Sequence, residues 1–404
     1  MMSGGEMTNM AVRSRWPLYE DDEISAVSDV LRSGRVNSLV HGDKCRAFET
    51  AFANFCGMPH AISLANGTLA LELALRALGV GPGDEVIVPA RSFFASASCV
   101  VAAGATPVFA DVDLVSQNID PDSVRAMLTP RTKAVICVHL AGWPCNMDAL
   151  TEICGQHRLF LIEDCAQAHG AVWKGQMAGS FGDAAAFSFC TDKIMSTGGE
   201  GGMLLLRDAG AWARAWSWKD HGKNPHKVMN PLPGNSFRWL HDGFGSNYRM
   251  TEMQAAIGLV QLEKLPGWLS RRRRNAALLD SLLADAPMLR LAIPPEHVGH
   301  ARYKYYAFLD PAQVPQGRVR DDLVAAMTAL NMPCASGSCP EIYREDAFTT
   351  SSTRPGRRLP KAKALGETSL MLPVDHTFDD QAMRRLGETL CSVLSSWTGK
   401  AQAA

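Results

Sequence analysis

From about residue 45 to residue 270 the sequence alternates short apolar runs with helical patterns, and nothing else in the chain restricts its fold as strongly. Residues 61–65, 85–88, 107–110, 134–139, 159–162, 184–189 and 202–206 read as strands. Between them, residues 69–78, 93–103 and 147–156 carry helical periodicity. Strands without polar alternation are buried on both faces, and strands joined by crossover helices pair in parallel. The expected class is α/β, with a largely parallel sheet flanked by helices. Such sheets place ligand sites at the carboxyl ends of their strands.

A chain of 404 residues is too long for one ordinary core. Residues 16–270 are expected to form the large domain and residues 271–404 a smaller α/β C-terminal domain. An amphipathic helix over 18–33 precedes the sheet and is expected to pack on the small domain. A long helical stretch follows, from 251 to about 283. Pro, Gly and Ser concentrate in loops around 340–357. Residues 1–15, polar and rich in Gly and Met, are expected to be disordered.

Forty basic residues against 41 acidic give a formal net charge of −1, so no strong field favours nucleic acid or an anionic membrane. The run Arg271, Arg272, Arg273 and Arg274 reads as a solvated helix face, or else as a patch for phosphates. The 11 cysteines form no C-x-x-C pair, and Cys334 with Cys339 lacks the second ligand pair of a zinc site. No metal site is therefore expected. Reduced, mostly buried thiols point to the cytoplasm. No signal peptide is visible, and no run reaches the ~18 apolar residues of a membrane span.

Three segments carry chemistry. Ala65-Asn66-Gly67-Thr68 follows a strand and opens a helix. Its backbone amides and the Thr68 hydroxyl suit an anion, although an ordinary N-cap explains the same pattern. In Leu161-Ile162-Glu163-Asp164-Cys165-Ala166-Gln167-Ala168-His169-Gly170 a buried strand ends in two carboxylates. An acid there is costly unless it meets a cation, such as a protonated pyridine nitrogen, or acts as a metal ligand or helix cap. Phe187-Ser188-Phe189-Cys190-Thr191-Asp192-Lys193 leads into Ser196-Thr197-Gly198-Gly199-Glu200-Gly201-Gly202. Here a lysine is bracketed by a serine and by glycines that admit a ligand close to the backbone. Phosphate cradle, acid and lysine together are what pyridoxal phosphate (PLP) requires.

In their order and local sequence these segments, with Ser246-Asn247-Tyr248-Arg249-Met250, resemble the DegT/DnrJ/EryC1/StrS family of sugar aminotransferases, over nearly the whole chain. The resemblance implies a fold-type I PLP-transferase. It implies Lys193 as the Schiff-base lysine and Asp164 as the partner of the ring nitrogen. Gly67, Thr68 and Ser188 would hold the phosphate, Phe93 would stack on the ring, and Gln167 would pack against the ring or its 3-hydroxyl. Asn247 would reach the phosphate of a neighbouring subunit, which implies a homodimer with shared sites. The loop from Lys193 to Glu200, through Gly198-Gly199, is one residue longer than in many members. Relatives with His in place of the lysine are dehydratases; Lys193 favours transamination.

The partners implied are L-glutamate and a nucleotide-diphosphate keto-sugar, with a 4-keto-6-deoxy hexose as the leading expectation. Val36-Asn37-Ser38 and residues 337–343 resemble a subgroup among surface-polysaccharide and lipopolysaccharide enzymes. Lys219, His221, Arg249 and the arginine run are candidate partners for the diphosphate. A PLP dehydratase or lyase and a non-catalytic PLP-binding regulator remain alternatives on the same fold. A Rossmann dehydrogenase does not fit, because no G-x-G-x-x-G follows the first strand.

Overall fold

The computed structural model describes residues 11–230, 237–349 and 354–398. Its centre is a seven-stranded sheet: β1 (His60–Leu64), β2 (Glu85–Pro89), β3 (Thr106–Ala110), β4 (Thr132–Val138), β5 (Phe160–Asp164), β6 (Ala184–Ser188) and β7 (Gly202–Leu206). In space the order is β1-β7-β6-β5-β4-β2-β3. The pairs β2–β3, β2–β4, β4–β5 and β5–β6 are parallel, while β7 runs antiparallel to both β6 and β1. All seven strands fall where the sequence places them, within a few residues.

The lone antiparallel strand has a local cause. A parallel connection needs a crossover segment, usually a helix, whereas antiparallel strands can be joined directly. Residues 189–201, which carry Lys193, fold straight back: the Phe189 amide donates to Gly201 O at 2.8 Å and the Thr191 amide to Gly199 O at 3.0 Å. β7 must then return antiparallel, and the lysine loop stays at the carboxyl end of β6.

A second antiparallel sheet, Leu289–Leu291, Tyr305–Leu309 and Ser369–Leu372, is backed by helices Arg320–Ala329 and Asp380–Trp397. The boundary expected at 270/271 lies inside one continuous helix, Glu252–Leu283. Ala255, Leu265 and Leu269 of that helix pack in the core behind the central sheet, and Ala276, Leu279 and Leu283 in the core of the second sheet. Residues 342–348 come from the expected small domain, yet Ile342, Tyr343 and Phe348 are buried against the large-domain core. They cover the edge strand β3, with Phe109 5.6 Å from Tyr343 and 5.3 Å from Phe348 between ring centroids.

The N-terminal expectations need correction. Residues 1–10 lie outside the described residues, but 11–15 are not loose. Val12 is buried in the small-domain core, and the Arg15 amide donates to Thr377 Oγ1 at 3.0 Å. Helix Asp21–Ser33 lies against the long helix rather than the small domain: Lys264 Nζ sits 2.8, 2.7 and 2.9 Å from Glu20, Asp22 and Glu23. A polar stretch reads as disordered in sequence because its anchors, one valine and a few backbone groups, leave no periodic trace. Among the described residues no helix is long and apolar enough to cross a membrane. All eleven cysteines are unpaired.

Candidate active site

The carboxyl ends of β1, β2, β4, β5 and β6 surround a cleft of about 620 Å³. Gly67, Thr68, Phe93, Asp164, Gln167, Ser188 and Lys193 all line it, with Asp192 and Glu200 at its rim. Residues more than a hundred positions apart thus meet, because parallel strands deliver their ends to one side.

The turn after β1 is both an N-cap and a cradle. Asn66 Oδ1 accepts the Leu69 amide at 2.9 Å, which starts helix Gly67–Ala77. The Gly67 and Thr68 amides have no protein partner among the described residues. They are the free donors of a helix N-terminus, where an anion is favoured. A Cβ at Gly67 would lie 2.7 Å from the Ser188 Cβ, and one at Gly202 would lie 2.3 Å from Asn66 O. Only glycine lets the turn close on β6 and β7 and bring the Ser188 hydroxyl beside those amides.

Asp164 closes the cleft floor. Its Oδ2 accepts the Ser96 hydroxyl at 2.9 Å and its Oδ1 the Ala166 amide at 3.2 Å. Burial pushes its carboxyl above the ordinary value despite these bonds and the nearby Lys193. A cation alongside would relieve that cost. Glu163 points to the other side of the sheet, as strand alternation requires. Its oxygens accept the amides of Gly179, Phe181 and Gly182, each at 2.8 Å, and meet His139 Nε2 at 3.0 Å. His139 Nδ1 accepts the Cys145 amide at 3.0 Å, so Nε2 is the donor to Glu163. The donor atoms of Glu163 and His139 are therefore already engaged inside the protein.

Phe93 precedes helix Ala95–Ala102 instead of lying in it, and is 66% exposed at the cleft wall. A large apolar ring left open beside an anion cradle is available for stacking. Gln167 Oε1 accepts the Ala141 amide at 2.7 Å, which fixes the side chain at the cleft. Lys193 Nζ lies 3.2 Å from Asp192 Oδ1 and 5.2 Å from the Tyr303 ring centroid. The Tyr303 hydroxyl donates to Asp192 Oδ2 at 2.5 Å. His169, behind the cleft among Phe52, Phe187 and Phe189, is pushed down to about 3 by burial and stays neutral.

Other expected residues lie elsewhere. Asn247 is exposed and pairs with Asp220 through a β-bridge, outside this chain's cleft. His221 is also outside it, and Arg249 is tied to the buried Asp220 at 2.7 Å. Lys219 is buried with Nζ 4.9 Å from the Trp216 ring. Two members of the arginine run, Arg273 and Arg274, are exposed, but all four are engaged within this chain. Arg272 is buried and donates to the carbonyls of Arg302 and Tyr303, Arg273 donates to those of His300 and Gly170, and Arg271 and Arg274 hold Asp380. The run fastens the long helix to the segments it crosses.

Ser96, Asp192 and Tyr303 had no role assigned from sequence. Ser92 and Ser96, polar residues one turn apart, carried a signal; their hydroxyls lie 3.1 Å apart. Tyr303, more than a hundred residues from the lysine, carried none.

The cleft fits the parts of PLP: free amides and a hydroxyl for a phosphate, an open aromatic face for a ring, a buried carboxylate for a ring nitrogen, and a lysine for an aldehyde. An aminotransferase from Psychrobacter cryohalolentis has a structure similar to this chain, with a TM-score of 0.93 at 45% identity, covering 95% of this chain and 99% of that one. GDP-perosamine synthase of Caulobacter vibrioides is 46% identical over 237 residues, 59% of this chain and 61% of that protein. That match therefore spans less than two thirds of the relative. L-glutamine:2-deoxy-scyllo-inosose aminotransferase of Streptomyces kanamyceticus is 37% identical over 329 residues, 80% of this chain and 77% of that protein. With residues 17–391 matching the family model, and with a central sheet and cleft of fold-type I aminotransferase design, the chain belongs to the DegT/DnrJ/EryC1/StrS aminotransferase family.

Proposed function

We propose that this protein binds PLP in the cleft and moves an amino group from L-glutamate to the keto carbon of a nucleotide-linked sugar, a 4-keto-6-deoxy hexose, for surface polysaccharide. The observation that carries the reading is the convergence on one cleft of free helix-terminal amides, a buried carboxylate, an open phenylalanine and a lysine. The perosamine synthase relative supports a nucleotide sugar as acceptor. The unpaired cysteines support a reducing compartment, the cytoplasm.

When bound, the cofactor supplies an electron sink for the carbanion left at the donor's Cα. The protein's residues do the rest. The Gly67 and Thr68 amides and the Ser188 hydroxyl hold the phosphate, and Phe93 and Gln167 orient the ring. Asp164 keeps a proton on the ring nitrogen, because an adjacent opposite charge favours the charged form. Lys193 would hold the cofactor's aldehyde carbon, and its free Nζ is placed to take the proton from the donor's Cα. Asn247, exposed and outside its own cleft, serves the phosphate of a second copy in a homodimer, and His221 and Arg249 face the acceptor's diphosphate from there.

The test is the absorbance of the protein with PLP, before and after L-glutamate. A yellow band that is lost on glutamate addition, with release of 2-oxoglutarate, is expected. A nucleotide keto-sugar should then restore the band and gain an amine. A protein that forms no band, or whose band ignores amino donors, would sink the proposal.

A further inference from the structure

Asp192 is a neighbour of the lysine in sequence, and the fold makes it more than that. Its two oxygens are divided: Oδ1 lies 3.2 Å from Lys193 Nζ and Oδ2 receives the Tyr303 hydroxyl at 2.5 Å. Tyr303 is itself fixed. It is 6% exposed, its amide donates to Ala141 O at 2.9 Å, and its carbonyl accepts from the buried Arg272 at 3.3 Å. A carboxylate with a half-exposed side chain is thereby anchored on one oxygen and presented to the lysine with the other.

The remaining charged groups near Nζ do not replace it. Lys304, 4.9 Å from the Tyr303 ring on the face of the same segment, and Arg272 from the long helix are cations and oppose an ammonium. His169 stays neutral. Asp164, from β5, is engaged by Ser96 and Ala166. Among the described residues Asp192 is the carboxylate in ion-pair contact with Lys193. Burial would raise the Asp192 carboxyl, but the charge of Lys193 and the Tyr303 hydroxyl outweigh it and hold the group below its ordinary value.

We propose that Asp192, fastened by Tyr303, is a positioning residue that docks the ammonium form of Lys193 at the cleft rim, so that the charge on Asp192 enters the pH dependence of cofactor attachment. The inference rests on the PLP reading above. Attachment of an aldehyde needs the unprotonated amine. The Nζ lone pair forms the new bond to the aldehyde carbon, and the carbonyl oxygen leaves as water with the two amine hydrogens. During turnover the same dock holds the proton that Nζ has taken from the donor's Cα.

The experiment follows the rate at which the yellow band appears when PLP is mixed with cofactor-free protein, across a pH series. Wild type, Asp192→Asn, Asp192→Glu and Tyr303→Phe are compared, each first shown to be folded by circular dichroism. In Asp192→Asn the ammonium loses its counter-charge, so the rise in rate should move to lower pH. Asp192→Glu should restore the wild-type profile, and Tyr303→Phe should shift it the same way by less. A merely structural Asp192 would change the rate without moving the profile. If Asp192→Asn attaches PLP with the wild-type pH profile, the inference is overturned while the cofactor reading stands. If wild type itself never attaches PLP, both fall.

Discussion

On one face of β5, Glu163 has every oxygen engaged by the protein: three loop amides and a histidine surround it. On the other face, one residue on, Asp164 meets one hydroxyl and one amide beside an open cleft. Both carboxylates are buried, and burial displaces Asp164 above its ordinary value. The difference separates scaffold from site. Where the protein supplies all partners, a buried charge fixes a loop; where it leaves capacity and pushes the titration upward, a ligand is the missing partner. The same contrast divides the arginine run, whose donors go largely to carbonyls of the joint, from the Gly67 and Thr68 amides, which have no protein acceptor among the described residues.

The largest expected effect lies at the cleft. Lys193→Ala should lose turnover by ~10³-fold or more, since it removes both the anchor and the proton carrier. Transaminase assays check this, and near-normal turnover would mean that the open capacity of the cleft serves something else. The sharpest test of the comparison pairs the two carboxylates. Asp164→Ala should lower turnover by ~10²-fold with the melting temperature held or raised. Glu163→Gln should do the reverse. Its amide NH₂ would confront the loop N–H groups and leave buried donors unpaired, at ~2–3 kcal/mol. Melting should fall by several degrees, with activity retained per folded molecule. If Glu163→Gln instead stops turnover without changing melting, the division between the two faces fails.

Much of this arrangement is legible in the sequence, and what is not has identifiable physical causes. Strands buried on both faces write themselves as apolar runs, so all seven are visible. Lys193 is visible because glycines and a serine bracket it in a loop between two such runs. Period-two alternation says that Glu163 and Asp164 face opposite ways, but not which of them meets the cleft; that depends on which helices cover which face. The arginine run misleads because charge on a helix gives no sign that the helix spans a domain joint, where Arg272 is buried against carbonyl oxygens. Ser96 and Tyr303 reach the site through contacts 68 and 111 residues apart in sequence, a separation that no local pattern encodes.

A smaller effect is expected from the cradle. Gly67→Ala would set a Cβ 2.7 Å from that of Ser188 and 3.2 Å from Phe187 O, so the turn and β6 must part by some tenths of an ångström. The amides and the hydroxyl would no longer converge, and PLP affinity should fall by ~10-fold, a loss comparable to one hydrogen bond to a charged group. Equilibrium dialysis measures it, and unchanged affinity would remove the phosphate from this turn.

The smallest effect concerns stability and carries a definite sign. Because Asp164 is displaced upward by burial, the folded cofactor-free protein holds its proton more tightly than the unfolded chain does. Across the window between the unfolded carboxylate range and the raised folded value, the folded state binds more protons, so stability falls as pH rises. Above that window the loss is complete; below the unfolded range it vanishes. Asp164→Asn keeps the shape and cannot ionise; its oxygen can still accept the Ala166 amide, while its NH₂ must donate to the Ser96 hydroxyl, which turns round to accept. The variant should therefore melt a few degrees above wild type at neutral pH without cofactor, and the gap should close as the pH drops below the ordinary carboxylate range. With PLP bound the order should invert, because the protonated ring nitrogen then rewards the charged carboxylate and not the amide. Melting curves at two pH values, with and without PLP, give all four comparisons. An advantage for Asn that persists when PLP is bound would show that Asp164 meets no cation, and that its upward displacement is a cost of packing instead of a mark of the site.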